Sequence, residues 1–376
     1  MKWELRSGNE LLEQMSVLQQ KKDVYIAGAG KYGKWIGKFL SSHNARWDGY
    51  VDKKIMSAPV EGKKVYSYLD TFNRNDFFIV SSYLNAEAIV NELKQKGVSD
   101  DNIAVLPYIR EIIYDIQDFF VGAGKYALKT KKYFQQYRGQ RCFVIGNGPS
   151  LRVSDLDKLK NEVTFACNSI YALYGNTTWR PTFYCAYDHI FCREMMSQKS
   201  ELQKLISGCK ASFTDLLSEG FEFRDCEELS NLFYVKIIHK YDNDTGLPLF
   251  SENCEKQIYS AGTVAYMMLQ LAVYMGFQEI YLLGMDASYS VERHKDGTIE
   301  LQQVENHQEI LEEEEERFKK DIFEVYGYEN MADVDMHLEG YKSAGNYADI
   351  HGIKIYNATR GGKLEVFERV NFDSLF

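Results

Sequence analysis

RCFVIGNGPSL, residues 141–151, reads as a short buried strand, Cys142 to Ile145, running straight into a Gly-Asn-Gly-Pro-Ser turn. Gly146 and Gly148 let the backbone turn sharply and bring its N–H groups close to a ligand. Pro149 fixes φ and suits a turn or a first helical position. Asn147 and Ser150 add side-chain donors, and the polar run Arg152–Leu156 looks like a helix start. A strand ending in such a turn is where open α/β sheets bind nucleotides. A plain strand-to-helix connection is the competing reading, because Gly-x-Gly alone is weakly specific.

Working outward, residues 1–20 suggest a short amphipathic helix with Leu11, Leu12, Met15 and Leu18 on one face. Asp23–Ala27 is an apolar strand that meets a second glycine turn, Gly28-Ala-Gly30-Lys-Tyr-Gly33, and Trp35, Ile36, Phe39 and Leu40 continue at helical spacing. This is GxGxxG in its required context, strand before and helix after. A strand over Trp47–Val51 ends in Asp52, where a ribose-binding acid is wanted. Strands at Phe77–Ser81 and Ile103–Leu106, with a helix at Ala86–Lys96 between them, complete the unit. Gly28, Gly30, Gly33 and Asp52 are its candidate nucleotide-binding residues; the alternative is a degenerate unit that only packs or dimerises. Residues 108–138 read as a helical connector carrying Lys125, Lys129, Lys131, Lys132 and Arg138, either a solvated face or a neighbour of an anionic ligand.

Beyond residue 139 strands again alternate with helices. Val163–Cys167 ends in Asn168, Thr182–Tyr187 in Asp188, and Glu279–Leu283 in Gly284-Met-Asp286. Helical and irregular segments fill 190–232, and Phe233–Ile238 is a strand. Ser260, Ala261, Gly262 and Thr263 open an apolar helix running to about Met275; Ser260 or Thr263 could cap it and its N–H groups could hold phosphate. Leu301–Tyr326 reads as a long acidic helix and Ile353–Tyr356 as the last strand. The pattern implies two doubly wound, mostly parallel sheets, an α/β protein of two Rossmann-like domains. Asn147, Asn168, Asp188 and Asp286 all fall at carboxyl ends of strands, the edge along which such folds bind ligands. Each taken alone is as well read as an Asx turn or helix cap.

The bulk properties fit this. With 376 residues, two domains are expected. A net charge of −10 argues against a general nucleic-acid role. The 27 Tyr and 22 Phe are read as packing, with carbohydrate or nucleotide contacts second. Seven cysteines show no metal spacing, and Cys142, Cys167 and Cys185 sit in apolar runs as reduced thiols would. No signal peptide or membrane-length apolar run is evident, so the cytoplasm is the default compartment.

The strings IGNGPSL (145–151), ACNSIYAL (166–173), YCAYD (184–188), YSAGTVAYMMLQLAVYMGFQEIYLLGMD (259–286) and IKIYNATRGGKLEVFERV (353–370) carry a family resemblance. They resemble a superfamily that contains the 6-hydroxymethylpterin pyrophosphokinase-like proteins, the flagellar motility accessory factors and the bacterial sialyltransferases of glycosyltransferase family forty-two. It covers about residues 139–370. Residues 21–107 resemble the Rossmann-like modules attached to bacterial surface-polysaccharide proteins. The resemblance implies a nucleotide or nucleotide-sugar module over 1–107 and a catalytic domain over 139–376.

For the sialyltransferases it implies a CMP-sugar donor held by Gly146, Asn147, Gly148, Pro149, Ser150 and Asn168. Ser260, Ala261 and Gly262 would lie against sugar and base, and Tyr289 would hold the phosphate. His337, in a mobile segment before the last strand, would be the general base, with His294, His307 and His351 as competitors. No cofactor is required for that chemistry. For the pyrophosphokinase-like proteins it implies ATP on Gly146–Ser150 and on 260–263, with Mg²⁺ on Asp188 and Asp286. A third reading is a nucleotide-sugar-binding accessory protein without catalysis. A glycan or protein acceptor, no nucleic acid, a homo-oligomer, and a location at the inner membrane face beside glycan-assembly proteins complete the expectations.

Overall fold

The computed structural model describes residues 3–376 apart from 19–21, 54–57, 71, 74, 83–84, 122–128, 189–190, 193–194, 196–197, 216–228, 289–290, 294–298 and 302–331. The chain divides into two compact units, Met1–Gly124 and Lys125–Phe376. The run read as a connector is shared between them: its first part is a helix of unit 1 and its last part enters the core of unit 2.

Unit 1 contains β1 (Trp3–Glu4), α1 (Gly8–Leu18), β2 (Val24–Ala27), α2 (Lys31–Ser42), β3 (Gly49–Asp52), β4 (Val65–Ser67), β5 (Phe77–Val80), α3 (Ala86–Gln95), β6 (Ile103–Val105) and α4 (Ile109–Val121). The strands form one parallel sheet in the order β1-β6-β5-β2-β3-β4. VYIA, FFIV and IAV are apolar on both faces, as buried parallel strands must be, and every residue of these three strands is buried. Successive strands run outward from β2 to β4, then the chain returns to the other side of β2 with β5. The turn after β2 therefore sits at the switch point of the sheet. Gly33 shows why that turn needs a glycine: a Cβ there would lie 1.9 Å from the Gly28 carbonyl oxygen. The short β1 and β4 have no sequence signal of their own, being two and three residues long.

Unit 2 contains β7 (Arg141–Ile145), α5 (Val153–Lys158), β8 (Val163–Cys167), a 3₁₀ segment (Asn168–Gly175), β9 (Phe183–Ala186), α6 (Lys199–Ser207), β10 (Ala211–Asp215), β11 (Leu232–Val235), β12 (Ile237–Ile238), β13 (Ile258–Tyr259), α7 (Val264–Met275) and β14 (Glu279–Leu283). After these come β15 (Val291–Arg293), β16 (Ile299–Leu301), β17 (Ala332–Asp333), α8 (Val334–His351), β18 (Lys354–Asn357) and β19 (Glu368–Arg369). Eight strands make one parallel sheet, β11-β10-β9-β8-β7-β14-β18-β19. The expected Phe233–Ile238 strand is split, its second half pairing with β13 outside the large sheet. β10 lies in the stretch read as helical and irregular. The Leu301–Tyr326 helix falls almost wholly outside the described residues.

The core of unit 2 is organised by α7, in which all twelve residues are buried. A helix apolar all round belongs inside. The Thr263 hydroxyl accepts the Ala265 N–H at its start, and Gly276, at φ 97°, closes its end. Gln270 is its one interior amide. It accepts from Ser251 N–H and Tyr259 N–H and donates to the Tyr259 and Tyr266 carbonyls, so its burial is compensated. Cys142, Cys167 and Cys185 are buried free thiols, and burial pushes Cys167 up to about 12. No helix among the described residues is long and apolar enough to cross a membrane.

Candidate functional site

The order of the large sheet locates the crevice. From β7 the chain steps outward through β8, β9, β10 and β11, then returns to the opposite side of β7 with β14. The switch point is the gap between the carboxyl ends of β7 and β14, and both ends are the glycine-rich strings that the sequence singles out.

The GNGPS turn is fastened across that gap. Gly146 N–H donates to the Leu283 carbonyl at 2.8 Å, and Gly148 N–H donates to the Gly284 carbonyl at 2.9 Å. The Ser150 hydroxyl donates to Asp286 Oδ2 at 2.8 Å. A Cβ on Gly148 would lie 1.8 Å from that carboxylate oxygen and 2.7 Å from the Gly284 carbonyl. Asp286 is buried and is held from behind by the loop after β18, where Lys363 N–H donates to its carbonyl at 2.7 Å. In this geometry Asp286 shapes the turn.

On the other side Asn147 Nδ2 reaches across to the Cys167 carbonyl at 3.0 Å, joining the ends of β7 and β8. Asn168 follows at φ 45°, a left-handed conformation that asparagine tolerates, and its carbonyl accepts the Tyr184 hydroxyl at 2.8 Å. Asn168 Oδ1 is buried with no hydrogen-bond partner among the described residues. An unpaired buried acceptor costs about 1–3 kcal/mol, which a ligand donor would recover. Asp188, past β9, accepts the Phe191 N–H on Oδ1 at 2.9 Å, the geometry of a helix-start cap.

The SAG string joins the same edge. Tyr187 and Ser260 hydroxyls lie 3.2 Å apart, and Ser260 Oγ accepts the Gly262 N–H. Ala261 is fully buried, and a Cβ on Gly340 of α8 would lie 2.4 Å from its methyl. His337 belongs to the first turn of α8, an eighteen-residue helix capped by Asp333, whose Oδ1 accepts the Met336 N–H. It is therefore on a regular helix, where the family resemblance suggests a mobile segment. Its Nε2 is 3.0 Å from the Gly262 carbonyl, an acceptor only, so Nε2 carries the proton and Nδ1 the lone pair. Burial, the dominant cause, lowers His337 from 6.5 to about 4 despite the Gly262 bond and Asp333. The ring is neutral at physiological pH.

Thus Asn147, Asn168, Asp188, Asp286, Ser260, Gly262 and His337 lie along one edge, linked by hydrogen bonds from Asp286 through the turn to β8, and from Tyr187 through Ser260 and Gly262 to His337. Tyr289, His294 and His307 lie outside the described residues. His351 is at the far end of α8, bonded to the Tyr347 carbonyl and stacked on the Tyr347 ring. Asp188 and Asp286 follow strands that are not neighbours in the sheet. β9 and β14 are three strand spacings apart, about 14 Å at the usual separation. Among the described residues no group of three or more His, Cys, Asp or Glu could hold a metal ion.

Arg360 is a neighbour of the crevice that sequence reading missed. Its guanidinium makes a forked contact with the buried Asp155 of α5, at 2.9 and 3.1 Å, and also bonds Asp373. The loop that holds Asp286 is thereby clamped to the helix that follows the GNGPS turn. The two partners are 205 residues apart in sequence, so no local pattern announces them.

In unit 1 Asp52 Oδ2 accepts the Ala29 N–H at 2.7 Å, and the Ser81 hydroxyl donates to the Gly28 carbonyl at 2.9 Å. Gly28, Gly30, Gly33 and Asp52 are thus together at the switch point of the smaller sheet.

Residues 120–292 match the family model described as 6-hydroxymethylpterin diphosphokinase MptE-like. Over this segment, a little under half of the chain, the sequence is similar to that family. No curated protein matches the chain in sequence. Among solved structures, it is similar to the MAf glycosyltransferase of Magnetospirillum magneticum AMB-1, at 11% identity and a TM-score of 0.39, covering 98% of this chain and 62% of that one. The chain therefore spans less than two thirds of that protein. It is also similar to the sialyltransferase CstII of Campylobacter jejuni. The structure with CMP-3FNeuAc matches at 14% identity and a TM-score of 0.34, over 61% of this chain and 86% of that one. The structure with cytidine-5'-monophosphate matches at 13% identity and a TM-score of 0.34, over 62% and 85%.

Proposed function

We propose that the crevice of unit 2 binds a CMP-activated sugar of the nonulosonic, sialic-acid-like class and transfers it to a hydroxyl of a glycan or protein acceptor. The observation that carries this reading is His337, a neutral, buried imidazole fixed by the Gly262 carbonyl beside the SAG helix start. Glycosyl transfer from a nucleoside monophosphate needs a base for the acceptor hydroxyl, and we assign it to His337 from its place beside the SAG helix start; the burial that keeps its ring neutral also makes it a weaker base than an imidazole tuned near neutrality. The donor class follows from the motif resemblance to the family forty-two sialyltransferases. Asn147 and the unsatisfied Asn168 Oδ1 supply polar groups for the nucleotide. With the Gly146, Gly148 and Gly262 N–H groups bonded within the protein, the Asn147 and Ser150 N–H groups of the turn and the first N–H group of α7 are assigned as donors to the departing phosphate. The assignment extends to a cytoplasmic protein working in surface-glycan assembly.

The test is a thermal-shift screen with CMP, CDP, UDP, GDP, NAD and ATP with Mg²⁺, followed by donor turnover. Stabilisation by CMP that survives EDTA, and CMP release from a CMP-sugar that is lost in His337→Ala, support the transferase. The second reading is an ATP-dependent pterin diphosphokinase, which the description of the matching family favours. Stabilisation only by ATP with Mg²⁺ would replace the first reading by it. In that case Asp188 and Asp286 are the first carboxylates to substitute in search of the metal ligands. Binding of a nucleotide sugar without turnover by wild-type protein would point to the accessory role.

A further inference from the structure

The basic run KTKKYFQQYR, residues 129–138, has a use that the crevice does not absorb. Its tyrosines point inward. Tyr133 makes edge contacts with Phe183, Phe213 and Phe233, and Tyr137 stacks on Phe277. Backbone bonds from Gln135 to the Tyr274 carbonyl and from Tyr137 to the Met275 carbonyl fix the segment to the end of α7. With the tyrosines buried, Lys129, Lys131, Lys132, Phe134 and Arg138 are turned outward and exposed. Lys210, just before β10, joins them: its carbonyl accepts the Tyr133 hydroxyl, and its ammonium donates to the Tyr137 hydroxyl at 2.6 Å. Lys132 lies over the Phe233 ring at 4.4 Å. Burial lowers its pKa, and the nearby Lys210 and Lys129 lower it further, so these cations feel one another. Phe134 leans on Tyr274 yet is 54% exposed. This is a rigid positive cluster with an apolar tip, on a chain whose net charge is −10.

We propose that this face of unit 2 docks on an anionic bilayer surface. Several exposed cations clustered on one segment attract acidic headgroups, and an exposed aromatic beside them enters the interface. A nucleic-acid partner is disfavoured, because the aromatics of the segment other than Phe134 are buried and provide no platform for successive bases. The placement is consistent with catalysis. Lys210 precedes β10, so the patch lies at the amino-terminal edge of the large sheet, and the crevice lies at the carboxyl edge. Docking would leave the crevice open to donor and acceptor.

The experiment is co-sedimentation of the full-length protein with phosphatidylcholine vesicles and with vesicles enriched in phosphatidylglycerol. The expected result is binding to the anionic vesicles alone, lost at about 1 M salt, where the screening length is only about 3 Å. Reversing Lys129 and Lys131, both exposed, should weaken binding by at least about fivefold per residue. Phe134→Ser should weaken what binding persists at intermediate salt. Circular dichroism checks that each variant is folded, and Lys129→Gln with Lys131→Gln replaces the reversal if it is not. The proposal is overturned if wild-type protein ignores anionic vesicles. It is equally overturned if the folded variants bind as wild type does, or if an RNA oligonucleotide competes the protein off vesicles more strongly than soluble phosphatidylglycerol headgroup does.

Discussion

Gly148 has no room for a side chain. A methyl there would meet both a carboxylate oxygen of Asp286 and the backbone carbonyl of Gly284. The carboxylate can rotate, but only by giving up the Ser150 bond; the carbonyl cannot move without β14. Gly148→Ala should therefore cost about 1–3 kcal/mol in a urea melt, the usual range for overpacking. It should also weaken CMP binding by tenfold or more in calorimetry; wild-type affinity would show that the turn is not where the nucleotide sits. His337 makes a prediction about pH. Its folded-state pKa is pushed down from 6.5 to about 4. As pH falls the unfolded chain takes up this proton first, so the contribution is whole above about pH 6.5 and drains away toward pH 4. The loss approaches about 3 kcal/mol. His337→Gln keeps a donor for the Gly262 carbonyl and has no such titration. The wild-type stability curve should be steeper than the variant's between these pH values, and parallel curves would remove the buried-imidazole assignment. A solvated histidine and a buried one look identical in sequence, so only its spacing from the last strand singles out His337.

At the scale of elements, the strands that line the crevice were legible because buried parallel strands are apolar runs. RCFVI, VTFAC and EIYLL are such runs, and each leads into a glycine or asparagine turn. α7 was legible for the same reason. β10, Ala211–Asp215, was not: ASFTD is fully buried but only Phe213 is large and apolar, so its strand character comes from the neighbours it pairs with. α8 was also missed, and with it the setting of His337. The clamp on α5 belongs to this scale. Six residues cannot sustain a helix alone. Arg360 supplies the tie, through Asp155, whose side chain is 2% exposed. Arg360→Met should cost about 3 kcal/mol, because it strands a buried carboxylate. Adding Asp155→Leu should recover most of that loss. A double variant as unstable as the single would mean that Arg360 acts through Asp373 instead. Sequence reading could not have found the pair, since its partners come from distant segments with no shared periodicity.

At the scale of the molecule, each unit has its own open parallel sheet and its own buried core. Each also has a glycine turn at its own switch point. Two complete cores in one chain should unfold as two transitions, and a ligand should raise only the transition of the unit that binds it. Scanning calorimetry of the whole chain with CMP at a hundred times its Kd should add about 2.7 kcal/mol to unit 2 alone. For a unit of this size that moves its midpoint by about 5–10 °C. The other transition should stay in place with CMP and respond only to a ligand of the Gly28–Gly33 turn, for which NAD and UDP are the first probes. The Gly148→Ala protein identifies the peaks, since its substitution lies wholly within unit 2 and should lower one midpoint only. If instead a single transition moves as a whole with CMP, the two cores are energetically one. Occupancy of the crevice would then be felt at the Asp52 turn as well, and the smaller unit would have to be counted as part of the machinery rather than as a separate module.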